Sequence, residues 1–257
     1  MNKITRHLML IGFIGAVWIR AGAADVPASP TATVAGYLRE GDQLYSQRTE
    51  LQANQKALDL YQKALAADPA NINALWRASR AAWWVGTQLT ERSERLQTFK
   101  LGMQYGEDAL KRDPNSVEAH FWLGGNYGSY GHTKGAFTSL FLIHSIRREM
   151  EDVRRLDARY MAGGADRILG IMDYKIPAFV GGDKKRALRH LEYALSVDGQ
   201  NPVTVYYLAD YYAALGDKEK AETYLKQLSA LSPTPDWAPE MPLMLKQGKE
   251  LSEKLHA

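Results

Sequence analysis

From Val34 onward, apolar residues recur three or four positions apart, and no stretch alternates with the two-residue period of a half-buried strand. Ala57, Leu58, Tyr61, Ala64 and Leu65 fall on one helical face. Ala187, Leu188, Leu191, Ala194 and Leu195 repeat that pattern, as do Ala221, Leu225 and Leu228. Residues four apart lie one above the other on a helix, so each group forms an apolar stripe seeking a partner surface. The pattern predicts an all-α chain of amphipathic helices.

Spacing then organises the helices. Ala187 and Ala221 stand 34 residues apart, as do Leu191 and Leu225, and Gly182-Asp183 and Gly216-Asp217. A period of about 34 residues resembles the tetratricopeptide repeat, a pair of antiparallel helices that stacks on its neighbours. In the unit from Val205 to Pro233, Val205, Leu208, Ala209 and Tyr212 line the first helix and Gly216 ends it. Ala221, Leu225 and Leu228 line the second, and Pro233 prevents its continuation because proline has no N–H to donate. Small residues such as Ala209 and Ala221 let the helices approach. Asp68-Pro69-Ala70-Asn71, Asp113-Pro114-Asn115 and Asp198-Gly199-Gln200-Asn201 read as joints of the same kind. The expected fold is therefore a tetratricopeptide-type helix-pair solenoid, with residues 34–257 forming one domain.

The period is not uniform. Pro69 and Pro114 are 45 residues apart, which lengthens the helix between Glu91 and Arg112. Between Gly131 and Gly181 the repeat is lost. That stretch reads as an irregular, longer helix pair, roughly 134–152 and 154–170, followed by a turn at Ile176-Pro177. Departures from a repeat are where a specialised feature is expected.

The first residues change the reading of charge. Lys3, Arg6 and His7 precede an apolar run from Leu8 to Ile19, and Ala21-Gly22-Ala23-Ala24 follows. Basic start, about a dozen apolar residues and small residues make the pattern of an export signal, expected over 1–24. An anchor left in place is the alternative reading. Residues 25–33, small and proline-rich, read as a flexible leader. The chain has 32 basic and 29 acidic residues, and the signal holds Lys3, Arg6 and Arg20 with no acid. Its removal balances the charge, so the basic pI gives no reason to expect a nucleic-acid partner. The chain has no cysteine, hence no lipobox, no disulfide staple, no thiolate zinc site and no cysteine nucleophile. The expected location is the periplasm.

Catalytic chemistry finds no foothold. No histidines stand three or four apart on one helix in a metal-binding pair, no serine sits in a Gly-x-Ser-x-Gly turn, and no glycine loop ends in Gly-Lys-Ser or Gly-Lys-Thr. No cofactor or metal is implied. Arg147-Arg148-Glu149 and Asp183-Lys184-Lys185-Arg186 read as solvated faces, with Asp183 as a helix cap. The aromatics are more informative. Trp83-Trp84, Tyr206-Tyr207 and Tyr211-Tyr212 are adjacent pairs that cannot all face one side of a helix, so some members reach a groove, an oligomer contact or a ligand.

Three segments carry a closer resemblance: Phe121-Trp122-Leu123-Gly124-x-Asn126-x-Gly128, Tyr160-x-x-Gly163-Gly164-x-x-Arg167-x-Leu169-Gly170 and Ile176-Pro177-x-x-x-Gly181-Gly182-Asp183-Lys184-x-x-Ala187. Together they resemble the T-component family, periplasmic accessory proteins of tripartite ATP-independent periplasmic (TRAP) transporters. The resemblance implies four helix-pair units around an apolar pore or pocket, self-association, and a periplasmic solute-binding protein as partner. In a curved stack of helix pairs the central pair lines the inside, where Tyr160, Arg167 and Phe179 would meet a small apolar or anionic solute; Trp122 and Asn126 are further candidate binding residues. The plainer readings are that Tyr160 is core, that Arg167 pairs with Asp166 or Asp157, and that Phe179 pins its loop. The alternative function is a cell-envelope scaffold for protein–protein contacts that holds no solute. Tyr160, Arg167 and Phe179 packed shut would favour the scaffold.

Overall fold

A computed structural model describes residues 30–256. The expected signal over 1–24 lies outside the described residues, as do residues 25–29 of the expected leader. The first helix, α1, spans Pro30–Leu44 and so begins inside that leader, because proline at a helix start forfeits no intrahelical hydrogen bond.

Ten further helices follow among the described residues: α2 (Leu51–Ala67), α3 (Ile72–Gln88), α4 (Arg92–Arg112), α5 (Val117–Lys134), α6 (Ala136–Asp157), α7 (Tyr160–Lys175), α8 (Lys184–Val197), α9 (Pro202–Ala214), α10 (Lys218–Ala230) and α11 (Met241–His256). No strand occurs among the described residues. The helices pack as successive pairs, α1 with α2 through α9 with α10, and α11 covers the last pair. This is the tetratricopeptide-type solenoid that the 34-residue spacing predicts, with five pairs where the family resemblance implies four.

One local device builds three of the joints. Asp68, Asp113 and Asp198 each accept a hydrogen bond from the amide two residues on, which turns the chain. Three residues after each aspartate, Asn71, Ser116 and Asn201 accept the amides of Ala74, Ala119 and Thr204, capping the next helix. Asp183 and Asp217 cap α8 and α10 in the same way.

The long central helices differ from the expected pair. α6 runs on to Asp157, because Val153 is fully buried and Arg154 bridges Glu151 and Asp166. The break comes where the Asp157 carboxylate accepts the Arg159 amide. α6 and α7 also belong to different pairs, α6 packing chiefly on α5 and α7 on α8.

After Tyr160 the chain makes a left-handed turn: Met161, Ala162 and Gly163 all have positive φ, at 50°, 54° and 70°. Side chains in that region cost about 1–2 kcal/mol each, so the surroundings must hold them there. At Gly163 a Cβ would lie 2.9 Å from the Ala194 Cα, so α7 can approach α8 this closely only with glycine.

The charged runs are solvated only in part: Arg148, Asp183, Lys184 and Lys185 are exposed, while other members turn inward. Glu149 is buried between Arg148 and His120, and Arg147 and Arg186 both donate to the buried Asp173 carboxylate. The Asp183 cap forms as expected.

Candidate functional site

The first helices of four pairs, α3, α5, α7 and α9, share an inner face with Ile146 of α6, and two regions stand out there. One is an open groove of about 660 Å³ bordered by α3, α5, α7 and α9, with Arg95 of α4 and Gln247 of α11 at its edges. Trp83, Ile168, Met172, Tyr206 and Tyr207 make its walls mostly apolar. Its floor is low because α5 presents Gly125 and Gly128. A Cβ on Gly125 would already touch the Trp83 ring at 3.4 Å.

Two kinds of polar group meet this groove. Lys175 and Asp210 form an ion pair of 2.6 Å and neutralise one another. The Arg95 Nε and Gln247 Oε1 atoms are buried without hydrogen-bond partners. Buried polar atoms are costly unless paired, so these two mark where an incoming polar group gains most. Burial pushes the Tyr206 phenol up to about 12 and raises Tyr207 as well, which keeps both as neutral donors.

The second region is where the two ends of the solenoid meet. Arg48 follows α1, and Glu240 immediately precedes α11, 192 residues away. Arg48 Nε donates to Glu240 Oε1 at 2.7 Å and Nη2 to Oε2 at 2.9 Å, a two-pronged buried pair. Nη2 also donates to the Asp236 carbonyl. The Arg48 guanidinium lies 4.8 Å from the Tyr45 ring and 6.0 Å from the Trp84 ring. Its own carbonyl accepts from Asn54 and Gln88. Arg80, 3.9 Å from the same Tyr45 ring, is paired with Asp42. Residues 232–240 therefore cross from α10 to α11 along the inside, with Trp237 only 9% exposed.

The five residues singled out from the sequence separate. Trp122 is buried in the aromatic run Trp83–Trp122–Phe121–Tyr160, whose neighbouring ring centroids are 5.2–5.6 Å apart. Tyr160 is half-buried at the end of that run, and burial raises its phenol. Asn126 is fully buried and joins three helices: its Nδ2 donates to the Ser79 carbonyl and hydroxyl and to the Trp122 carbonyl, and its Oδ1 presses on Gly102. Phe179 is 91% exposed on the turn after α7 and does not face the interior. The turn is held without that ring, by the Val180 and Gly182 amides donating to the Pro177 carbonyl and the Gly181 amide to that of Ala178.

Arg167 pairs with neither Asp166 nor Asp157. It donates to the Met161 and Ala162 carbonyls and to Thr204 Oγ1, each at 3.2 Å. These bonds hold the left-handed turn. Asp166 is engaged instead by His190 and Arg154. Burial lowers the Arg167 pKa to about 10, which still leaves it a cation at neutral pH. Arg167, Tyr160 and Trp122 are thus packed and closed, while the open groove lies beside them on Trp83, Tyr206 and Tyr207. Adjacent aromatics in the sequence pointed to those three. Arg48, Trp237 and Glu240 gave no repeat or motif signal; a tryptophan in a proline-rich stretch beyond the last repeat was the one trace.

Among the described residues, no group of three or more His, Asp or Glu could hold a metal ion, and no helix is long and apolar enough to cross a membrane.

Comparison with known proteins agrees with the fold. Residues 182–239 match the tetratricopeptide repeat model. Residues 37–161, just under half the chain, match the model described as regulator of microtubule dynamics protein 1-3. No curated protein matches the sequence. Among solved structures, a thermophilic tetratricopeptide protein of Thermus thermophilus superposes with a TM-score of 0.61 at 20% identity, covering 85% of this chain and 98% of that one. A structure of MamA gives a TM-score of 0.47 at 18% identity over 83% of this chain and 95% of that one. The chain has the tetratricopeptide fold.

Proposed function

We propose that this protein is a non-catalytic interaction scaffold that holds a segment of a partner protein on its inner face. The open groove of about 660 Å³, with apolar walls and the unpartnered Arg95 Nε at its edge, is the observation that carries the reading. Stacked helix pairs present such a face over several repeats, and a partner gains from each. A photo-reactive residue at Ile168 should cross-link a partner in the native envelope or lysate. The same residue at the outward-facing Glu192 should not. Cross-links from Glu192 alone would end the reading.

A finer assignment rests on Tyr160-x-x-Gly163-Gly164 and Pro177-x-x-x-Gly181-Gly182-Asp183, whose residues form the left-handed turn and the α7–α8 joint. On that assignment the protein is the accessory T-component of a TRAP-type importer, exported to the periplasm. It self-associates and engages a periplasmic solute-binding protein and a small apolar or anionic solute. The signal-like residues 1–24 support the location. Reciprocal co-purification with a solute-binding protein from a periplasmic extract tests it, and fractionation of the mature chain with the cytosol would overturn it.

A further inference from the structure

Residues 232–240, Ser-Pro-Thr-Pro-Asp-Trp-Ala-Pro-Glu, connect α10 to α11 by crossing the inner face. Three prolines limit this strap to a turn and the short 3-10 helix Ala238–Glu240, and the hydrogen bonds its amides make, from Trp237 and Ala238 to Thr234 and from Glu240 to Trp237, all close within the strap itself. Beside the burial of Trp237, three contacts attach it to the scaffold. The Trp237 ring lies against Arg167 at 5.2 Å, the Asp236 carbonyl accepts from Arg48, and the Glu240 carboxylate takes two bonds from Arg48.

The receiving side is built without the strap. The Arg48 backbone is fixed by Asn54 and Gln88, and its guanidinium rests between Tyr45 and Trp84. Arg167 is fixed by the Met161 and Ala162 carbonyls and Thr204. A ready-made surface therefore meets a segment held by side chains and one carbonyl, the way a repeat groove holds a short folded peptide. Charge is also left over. Of the strap's two carboxylates, Asp236 is exposed and only Glu240 is buried against the two guanidiniums, Arg48 and Arg167. Glu240 pairs with Arg48, and among the described residues no carboxylate pairs with Arg167.

We infer that the strap is an intramolecular stand-in for the partner, and that the inner face between Arg48 and Arg167 binds an acidic, tryptophan-bearing protein segment that displaces it. The occupant places an indole on Arg167 and a carboxylate three residues later on Arg48, as Trp237 and Glu240 do. A further carboxylate near Arg167 improves the fit, because it meets the cation the strap leaves unpaired. This rests on the scaffold reading and names the class of segment held. The strap regulates access, since a competitor must overcome a tethered segment whose effective concentration is about millimolar.

The test titrates a synthetic nonapeptide of residues 232–240, and the same peptide with Ala238→Glu, into the full chain by calorimetry. Glu240→Gln weakens the strap's grip and leaves both arginines in place. That variant should bind the nonapeptide about tenfold or more tightly than the unaltered chain does, the acidic peptide more tightly again, and adding Arg48→Gln should remove the gain. A Glu240→Gln chain of unchanged helical content that binds neither peptide better overturns the inference.

Hydrogen exchange on the unaltered chain supplies a measurement that survives a folding failure of the variant. Amides of 237–240 should exchange faster than those of 205–212 in α9. Equal protection makes the strap part of the core and also overturns the inference. Cross-linking from Ile168 that persists in either case would leave the scaffold reading standing.

Discussion

The Arg167 guanidinium lies 5.2 Å from the Trp237 ring and forks onto the Met161 and Ala162 carbonyls, so one buried cation joins the left-handed turn of α7 to the strap before α11. A planar fork reaches both carbonyls and Thr204 at once, which an ammonium point charge does not. Arg167→Met leaves three acceptors without their donor and should destabilise the chain by about 3 kcal/mol in urea unfolding. Arg167→Lys should recover less than half of that. An unchanged unfolding midpoint for Arg167→Met would show that the turn holds itself.

The repeat was legible because its causes are local. Asp68 with Asn71, Asp113 with Ser116 and Asp198 with Asn201 each write a turn and a cap within four residues. Ala209 and Ala221 mark close packing at a readable interval. Arg167 was legible as unusual but not in its role: Asp166 stands next to it in sequence, yet on the helix that carboxylate points toward His190 and Arg154. Phe179 followed a motif and proved solvent-facing. The strap left only the trace of a tryptophan among prolines, because Arg48 and Glu240 meet only once five helix pairs have curved the chain back on itself. Sequence spacing records neighbours on one helix, and ring closure is a sum over all of them.

Gly181 and Gly182 are adjacent yet should respond differently to alanine. Gly181 has φ of 95° and open space around it, so Gly181→Ala carries only backbone strain, about 1 kcal/mol. At Gly182 a Cβ would sit 1.9 Å from the Ile176 carbonyl oxygen and 3.1 Å from that of Asp173, both backbone atoms. Gly182→Ala must open the α7–α8 joint and should cost roughly 3 kcal/mol. Equal losses in thermal unfolding would contradict this steric account.

Asp173 should shape the acid limb of stability. Burial alone would raise its carboxyl, but hydrogen bonds from Arg186 and Arg147 outweigh that and hold it below its ordinary value of 3.8. A carboxyl depressed on folding stabilises above its unfolded value, and the contribution disappears as pH falls through the folded one. Asp173→Asn should therefore cost about 3 kcal/mol at pH 7, leaving two arginines facing a neutral amide. The difference from the unaltered chain should shrink below pH 3.8. A gap that stays constant through the acid limb would mean the carboxylate charge is not what matters.

His120 should act in the opposite sense. Its Nδ1 lies 2.6 Å from Glu149 Oε2 and its Nε2 lies 2.9 Å from the Pro114 carbonyl, so both nitrogens face acceptors and the ring is best satisfied as an imidazolium. Burial would lower its pKa, yet the Glu149 and Pro114 hydrogen bonds, helped by the Glu149 charge and Asp152, raise it above 6.5. A histidine raised on folding stabilises fully below its unfolded value and loses that contribution as pH climbs through the folded one. The deficit of His120→Gln against the unaltered chain should thus be largest below about pH 6.5 and decline on the alkaline side. Melting temperatures recorded from about pH 5 to about pH 9 read this directly, and a deficit that grew with pH would place a neutral imidazole between α5 and α6.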